Sequence, residues 1–329
     1  MVKLQMYVTA INTSFSEDFH LLAFSGLQSV SFVLIFAILL LYLLCMIGNL
    51  IIIAVVWTAP RLHTPMYFFL CNLSVLDMTY VSTILPKLLD YQITGKNIIS
   101  FTSCFTQLFM SVACLDTEFL LLSSMAYDRY VAICDPLKYS IIMSRKSCIS
   151  LSLTPWTFGM LNSLLYVFLI SHLSFCDSKN ITHFYCDLKA LLGASCSDIR
   201  YVNIVILLEG YILGVIAFGM ILISYVFIIS AILKINTSAK RLKIFSSCSS
   251  HLTVVFLFCG SLLSVYINPD PKSSKEQKDI IFSLMYVAVV PALNPLVYSL
   301  RNKDVLDVLR ISSVTFGHIS KFGKLVKAV

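Results

Sequence analysis

The chain has 329 residues, of which 58% are hydrophobic and 12% are charged, and its mean hydropathy is +0.87. Because soluble domains are about 45–50% apolar and about 25% charged, this composition excludes a water-soluble enzyme and indicates an integral membrane protein. The formal net charge is +7. The basic runs are short and border apolar stretches, so we expect contacts with anionic lipid and no binding of nucleic acid.

Seven apolar stretches are each long enough to cross a hydrocarbon core of about 30 Å. They cover residues 31–57, 66–88, 101–125, 148–172, 201–233, 244–267 and 279–300. We therefore expect an all-α membrane protein: an N-terminal segment over 1–30, a seven-transmembrane helix bundle over 31–300, and a tail over 301–329. Apolar residues among Asp and Arg near the start of the tail predict a short amphipathic eighth helix on the inner leaflet.

The distribution of Lys and Arg predicts the orientation in the membrane. With the N-terminus outside, the cytoplasmic segments hold fifteen basic residues against four acidic ones, and the outer segments hold nine against nine. The N-terminal segment is therefore expected to be extracellular and the tail cytoplasmic. Two N-x-S/T sequons on the expected outer side, at Asn12 and Asn180, are candidate glycosylation sites.

Four cysteines are expected on the outer side of the membrane. Cys104 lies at the outer end of the third helix, and Cys176, Cys186 and Cys196 lie in the loop before the fifth helix. In an oxidising compartment these four cysteines allow three different pairings, and the sequence spacing leaves the choice open.

Polar side chains inside the predicted helices are candidates for function because a charge in lipid is costly. Of four acidic residues there, Asp77 and Glu118 are expected to form one polar cluster with Asn49 and Asn294. Two neighbouring carboxylates repel each other, so either one is protonated or a cation bridges them, and sodium is the simplest such cation. The alternative is a hydrogen-bond network that only packs the helices together.

Other classes of seven-helix protein find less support in the sequence. A retinal pump needs a Lys in the last helix, and residues 279–300 contain none. The chain shows neither the paired repeats of a secondary transporter nor the filter-like loop of a channel. No nucleophile, base and oxyanion donor can be assembled from the helix positions, so no enzymatic activity is expected.

Two motifs lie at the expected cytoplasmic ends of helices. Residues 125–130 read MAYDRY and place Asp128 beside Arg129 at the membrane boundary, which suits an ion pair that a partner protein could break. Residues 291–302 contain two prolines, which remove helical hydrogen bonds and permit a hinge in the seventh helix.

In combination, the motifs resemble those of the olfactory receptors within the rhodopsin-like G-protein-coupled receptors. They are Gly48-Asn49, 65–70 (PMYFFL) with Leu73, Ser74 and Asp77, Thr117-Glu118, 125–134 (MAYDRYVAIC), Ser224-Tyr225, Lys243, Phe245, Ser246, Cys248, Ser250-His251-Leu252 and 291–302 (PALNPLVYSLRN). They occur in the family's order, and the resemblance covers residues 19–310.

The resemblance implies a receptor that binds small volatile molecules and activates a stimulatory, olfactory-type heterotrimeric G protein to raise cyclic AMP. It also implies a multi-pass protein of the plasma membrane in the cilia of olfactory sensory neurons, with disulfides Cys104–Cys186 and Cys176–Cys196. The residues to which it assigns activation or G-protein coupling are Asp128, Arg129, Tyr130, Tyr225, Lys243, Asn294, Pro295 and Tyr298.

Members of this family bind ligands among the outer halves of helices three, five, six and seven. Helical spacing back from Arg129 places one face of the third helix toward that space. The expected ligand contacts are Leu108, Ser111, Val112, Leu115, Asn162, Tyr166, Glu209, Leu213, Cys259, Leu262, Leu263, Tyr266, Leu284 and Val287. The set is mostly apolar with a few polar groups, as is typical of sites for small ligands.

Two of these residues depart from the family pattern. Cys259 stands in a Phe-Cys-Gly sequence where the family usually has Phe-Tyr-Gly, and Glu209 is an acid where most relatives have an uncharged residue. Our hypothesis is that Glu209 contacts an amine or hydroxyl of the ligand. The alternatives are a salt bridge with an outer-loop Lys or Arg, or contact with lipid headgroups.

Two other functions stay open at this point. One is a non-olfactory rhodopsin-like receptor for a small amine or lipid, which would suit Glu209. The other is an ion transporter or channel in which Asp77 and Glu118 line the ion path.

Overall fold

The computed structural model of the protein describes residues 18–23, 31–175, 179–266, 274–300, 305 and 308. Asn12, Cys176 and most of the tail over 301–329 lie outside these residues. In the tail, Val305 and Val308 are helical, and the remainder of the expected eighth helix stays a prediction.

Within the described residues the chain forms seven long helical segments in the predicted order. They are α1 (Ser31–Thr58), α2 (Pro65–Thr94), α3 (Phe101–Cys134), α4 (Arg145–Ser171), α5 (Arg200–Leu233), α6 (Ser238–Tyr266) and α7, which runs through Ser274–Leu284, Met285–Val289 and Val290–Leu300. Short helical turns at Pro60–Leu62, Tyr139–Ile142 and Leu188–Gly193 lie in the loops between them.

Six of these helices, α1 to α5 and α7, are long and apolar enough to cross a membrane. In α6 the apolar part is the shorter segment Cys248–Ser264, because polar and basic residues form the first turns of that helix. The predicted bundle is confirmed. The helices run further than predicted, and α3 continues to Cys134, because hydropathy ends a span at the first polar residues whereas the helical backbone does not.

The ends of several helices follow local rules. Pro65 occupies the first turn of α2, where its missing N–H is not needed, and Gly95 ends α2 in the left-handed conformation at φ 71°. The hydroxyl groups of Ser100 and Ser144 accept hydrogen bonds from backbone N–H groups in the first turns of α3 and α4.

Two helices contain a π-helical turn that the sequence analysis did not predict. It covers Gly214–Phe218 in α5 and Met285–Val289 in α7. A π turn contains more residues per turn than a regular α-helix. The side chains that follow it are therefore rotated about the helix axis relative to the side chains that precede it. Both turns lie where the helices border the cavity described below.

A small sheet at the outer side was also not predicted. Strand β1 (Phe19–Leu21) pairs antiparallel with β2 (Ile98–Ile99) and parallel with β3 (Asn180–Ile181). Asn180, the candidate glycosylation site, is exposed in β3. The strands have only two or three residues each, too few for an alternating pattern to be visible in the sequence.

Two glycines allow helices to approach closely. A Cβ atom on Gly48 of α1 would lie 2.9 Å from the side chain of Pro295 in α7, and one on Gly159 of α4 would lie 2.6 Å from the carbonyl oxygen of Ala113 in α3. These contacts fix the separation of α1 from α7 and of α3 from α4.

Candidate functional site

A cavity of about 590 Å³ lies among α3, α5, α6 and α7, in the halves that are predicted to be the outer ones. Its volume is within the range of small-molecule sites. It is lined by Tyr80, Ser111, Val112, Leu115, Asp116, Phe119, Tyr166, Tyr185, Asp187, Leu188, Ile206, Leu207, Glu209, Gly210, Tyr211, Leu213, Gly214, Phe218, Cys259, Leu262, Leu263 and Tyr286. The outer half of α5 buries only Val202 and Leu213, which leaves space between it and α3.

Nine of the expected ligand contacts line this cavity. They are Ser111, Val112, Leu115, Tyr166, Glu209, Leu213, Cys259, Leu262 and Leu263. On α3 the residues in the wall follow the helical spacing used in the sequence analysis, because that part of the helix is regular.

Four expected contacts lie elsewhere. Leu108 is fully buried in the apolar cluster around the outer loop, and Asn162 lies behind the cavity wall, where it binds two wall residues. Leu284 and Val287 pack into the main core, and Tyr286 lines the cavity in their place. The π turn of α7 changes the helical phase, which a regular spacing does not anticipate. The side chain of Tyr266 lies outside what the structure describes.

Two carboxylates in the cavity wall share one hydrogen-bond donor. The Nδ2 group of Asn162 donates to Oδ2 of Asp116 at 2.8 Å and to Oε1 of Glu209. The hydroxyl of Tyr166 donates to the other oxygen of Glu209. Glu209 therefore accepts hydrogen bonds from neutral donors of α4. The two alternatives considered for Glu209 were an outer-loop cation and lipid headgroups, and neither supplies these hydrogen bonds.

The outer loop forms one wall of the cavity. A disulfide between Cys104 and Cys186 ties it to the start of α3, with the two Cα atoms 5.3 Å apart. This confirms the pairing that the resemblance implied. Cys196 is also in a disulfide, and Cys176, its expected partner, lies outside the described residues.

Buried polar groups fix the outer loop to α7. The Tyr185 and Tyr286 hydroxyls are 2.7 Å apart, Tyr185 also donates to Asp187 at 3.0 Å, and Nε2 of His183 is 3.2 Å from the Ser283 hydroxyl. Burial raises the pKa of the Tyr185 hydroxyl, which keeps it protonated as a donor. Burial lowers the pKa of His183, so this side chain is neutral at physiological pH.

At the end of α3 that is predicted to be cytoplasmic, Arg129 is held by its neighbour Asp128. Its guanidinium donates to Oδ2 of Asp128, with Nε at 2.9 Å, and the Tyr139 hydroxyl donates to Oδ1 of the same carboxylate at 2.8 Å. The predicted ion pair is therefore present, and Tyr139, from the short turn after α3, is a third member that the sequence analysis missed.

Other residues expected to act in activation lie in the same half of the bundle. The Tyr225 hydroxyl is 2.8 Å from Nδ1 of His251, whose Nε2 is 3.0 Å from the Leu122 carbonyl oxygen. Tyr298 is buried. The Tyr130 ring lies against Phe227 of α5. The side chain of Lys243 lies outside what the structure describes.

The sequence profile of the olfactory receptor family matches residues 38–314. The chain belongs to the olfactory receptor family. It is 42% identical to olfactory receptor 1f45 of Rattus norvegicus over 92% of this chain and 96% of the relative. It is 44% identical to olfactory receptor 1G1 of Gorilla gorilla gorilla (91% and 95%) and 40% identical to olfactory receptor 8U8 of Homo sapiens (96% and 99%). It is therefore a multi-pass membrane receptor of the G-protein-coupled class and not an enzyme.

In this olfactory receptor, the four polar residues predicted to cluster lie in the bundle core. Nδ2 of Asn294 donates to both carboxylate oxygens of Asp77 at 3.0 and 3.2 Å. Asn49 donates to the carbonyl oxygens of Cys45 at 3.0 Å and of Pro291 at 3.4 Å. Neither oxygen of buried Glu118 has a hydrogen-bond partner among the described residues.

These residues fit a small hard cation better than a transition metal. In the described part of the chain, no group of three or more His, Cys, Asp or Glu is placed to hold a metal ion. The buried oxygens without a hydrogen-bond partner among the described residues include those of Glu118, Ser74, Asn49 and Asn294. A carboxylate, a hydroxyl and amide carbonyls are oxygen ligands of the type that hard cations prefer.

The main omission of the sequence analysis in this olfactory receptor is Asp116. It is one of the four intramembrane acids, and an acid inside the membrane is the signal that identified Asp77 and Glu118. It is 4% exposed and lies in the cavity wall. Applying the rule to all four acids would have found it.

Proposed function

We propose that this receptor binds small volatile molecules in the cavity and, in response, activates a stimulatory heterotrimeric G protein that raises cyclic AMP. The observation that carries the proposal is the cavity itself, with its mostly apolar wall and its volume of about 590 Å³, in a chain of the olfactory receptor family. A ligand there touches α3, α5, α6 and α7, so it can favour one arrangement of these helices over another.

The coupling surface in this proposal is the cytoplasmic end of α3. Arg129 is neutralised by Asp128, which Tyr139 also holds, so the guanidinium is not free to bind another protein. Ligand binding favours the arrangement in which this ion pair opens. Tyr225 and Tyr298 then move, and a helix of the G-protein α-subunit enters the opened cleft. Lys243 contributes from the third cytoplasmic loop.

We also propose that the N-terminus is extracellular, with Asn12 and Asn180 available for glycosylation, and that the receptor works in the ciliary membrane of olfactory sensory neurons. The excess of Lys and Arg in the segments on the opposite side supports this orientation. The disulfide at Cys104 supports it as well, because disulfides form in oxidising compartments.

Sodium binding in the bundle core is a further part of the proposal. Asp77, Glu118, Asn49 and Asn294 would hold the ion, which would supply a positive charge between two buried carboxylates. The test is the thermal stability of purified receptor in sodium chloride against choline chloride at equal ionic strength. We expect sodium to stabilise the receptor and Asp77→Asn to abolish the difference. Asp90→Asn, at a partly exposed Lys87 ion pair, is the control that keeps it.

The function is tested by cyclic AMP in cells that display the receptor at a verified surface level. The cells are challenged with a chemically broad panel of volatiles, next to an Arg129→Ala variant at the same surface level. The proposal expects at least one volatile to raise cyclic AMP in the wild type and none to do so in Arg129→Ala. A response that persists in the variant would contradict the coupling mechanism.

A further inference from the structure

The charges in the cavity wall are all of one sign. Asp116, Asp187 and Glu209 line the cavity, and among the described residues no Lys, Arg or His lines it. The rest of the wall consists of apolar and aromatic side chains with a few uncharged polar groups. A ligand complementary to this wall has a mostly apolar body and carries a positive charge.

Asp116 and Glu209 form the centre of this charge. Oδ2 of Asp116 and Oε1 of Glu209 accept hydrogen bonds from the same Asn162 Nδ2 group. The distance between these two oxygens is therefore at most the sum of the two hydrogen-bond lengths. Glu209 has donors on both oxygens, whereas Oδ1 of Asp116 has no hydrogen-bond partner among the described residues. Asp116 is 4% exposed and borders the cavity, so this unpaired oxygen is available to a ligand.

Among the described residues, no Lys, Arg or His forms a salt bridge with Asp116 or Glu209. Three of the described cations on this side pair with other acids: Lys189 with Asp279 at 2.8 Å, Lys87 with Asp90 at 2.7 Å, and Arg200 with Asp198. Asn162 and Tyr166 contribute dipoles but no charge. A buried charge without a counter-charge is costly, so the pair either retains a proton or gains a cation from outside the chain.

The aromatic residues of the wall suit the same kind of ligand. Phe119, Tyr211 and Phe218 line the cavity on α3 and α5, the helices that carry Asp116 and Glu209. Faces of aromatic rings attract organic cations, and the attraction is strongest where water is excluded. An inorganic ion would leave most of this apolar wall without a contact, whereas an organic ammonium ion contacts both parts of it.

We propose that this receptor recognises organic amines, bound as ammonium ions between the carboxylates of Asp116 and Glu209 with their hydrocarbon part against the apolar wall. The inference rests on the function proposed above, because it assigns the ligand class of the same cavity. It extends the hypothesis on Glu209 in two ways. Asp116 is a second anionic group that contacts the ligand, and amines are preferred over ligands with only a hydroxyl group, because a hydroxyl carries no charge.

The experiment uses pairs of probes that differ in charge and hardly in shape. N,N-dimethylbenzylamine is paired with isobutylbenzene, and N,N-dimethylcyclohexylamine with isopropylcyclohexane, so that CH replaces NH⁺. Cells displaying the full-length receptor are assayed for cyclic AMP, and purified receptor is assayed for thermal stabilisation by the same compounds. The variants are Asp116→Asn and Glu209→Gln. Asp198→Asn, which removes an exposed acid away from the cavity, is the control.

We expect the amines to activate and stabilise the wild type and their hydrocarbon partners to be at least about tenfold less potent. Each cavity variant should lose about tenfold or more in amine potency, and the control should lose none. Thermal denaturation of the purified variants separates a binding defect from poor folding, because a variant that folds but does not bind amines still melts cooperatively. Hydrocarbons as potent as amines, or unchanged amine potency in both cavity variants, would overturn the inference.

The remaining outcomes separate this inference from the proposed function. If neutral volatiles raise cyclic AMP while the amines neither activate nor stabilise the receptor, the proposed function stands and the amine inference is wrong. If amines stabilise the purified receptor but no compound raises cyclic AMP, the ligand class is supported and the coupling is contradicted. A receptor at the surface that no compound activates or stabilises contradicts both.

Discussion

The hydrogen bond from Tyr139 to Asp128 should hold the receptor in its silent arrangement, so Tyr139→Phe should raise signalling without ligand. The O···O distance is 2.8 Å and the acceptor is buried. Burial raises the pKa of the Tyr139 hydroxyl and the neighbouring carboxylate raises it further, so the hydroxyl donates at any physiological pH. A hydrogen bond to a charged group contributes about 1.5–3 kcal/mol.

Because Tyr139 is half-buried, we take the lower end of that range, about 1.5 kcal/mol, which corresponds to about a tenfold change in the equilibrium. If the active arrangement is populated at about 1% without ligand, the variant should populate it at about 10%. Basal cyclic AMP should therefore rise several-fold at equal surface level.

The control is Tyr127→Phe, which removes a hydroxyl from the same end of α3. The Tyr127 hydroxyl has no hydrogen-bond partner in the described part of the chain, so its loss should leave basal signalling unchanged. Equal basal signalling in Tyr139→Phe and wild type would refute the idea that this bond restrains Arg129. An equal rise in both variants would do so too.

Three further predictions concern stability, measured as thermal denaturation of the purified receptor. Gly159→Ala should destabilise the receptor by about 1–3 kcal/mol, because a Cβ 2.6 Å from a carbonyl oxygen of α3 forces α3 and α4 apart. The control is Gly219→Ala, which has open space around it and should leave the stability unchanged or raise it by up to about 1 kcal/mol. Cys104→Ser opens a link between residues 82 apart and should cost up to about 4.5 kcal/mol, whereas Cys134→Ser, at a free thiol, should cost little. Burial lowers the pKa of His183, so the unfolded state binds the proton more tightly and stability should fall as pH decreases below the ordinary histidine pKa of about 6.5; a His183→Gln variant should lack this part of the pH dependence. An unchanged pH profile in that variant would show that His183 does not contribute to it.

The helices could be predicted because their signal is carried by composition over long windows. A stretch of about 20 apolar residues has few alternatives to spanning a membrane. The order and number of the helices therefore follow from hydropathy, and only their ends differ. Polar residues such as those at the start of α6 continue a helix whose apolar part is Cys248–Ser264.

The details of the cavity depend on local geometry that composition does not contain. Helical spacing placed Ser111, Val112 and Leu115 correctly in the wall because α3 is regular there, whereas Leu108, one turn earlier, lies beyond the cavity in the apolar cluster around the outer loop. It failed for Leu284 and Val287, because a π turn in α7 shifts the phase. Neither hydropathy nor helical periodicity predicts which apolar helix contains such a turn.

Some of the polar contacts could be predicted from the sequence and others could not. The Cys104–Cys186 link follows from the resemblance, whereas charge and spacing left three pairings open. The link between Asp116 and Glu209 depends on Asn162, a residue of a third helix, and three-helix contacts do not follow from the periodicity of any one helix.

Opening of the cytoplasmic end to a G protein by a ligand in the cavity can be measured as guanine-nucleotide exchange with purified components. The receptor is reconstituted in lipid discs with a purified stimulatory G protein, and nucleotide exchange is followed with and without a volatile ligand. We predict that ligand accelerates exchange on the wild type and has no effect on Arg129→Ala, although both bind the ligand. Ligand binding without faster exchange on the wild type, or equal acceleration with Arg129→Ala, would contradict coupling of the cavity to the G protein through Arg129.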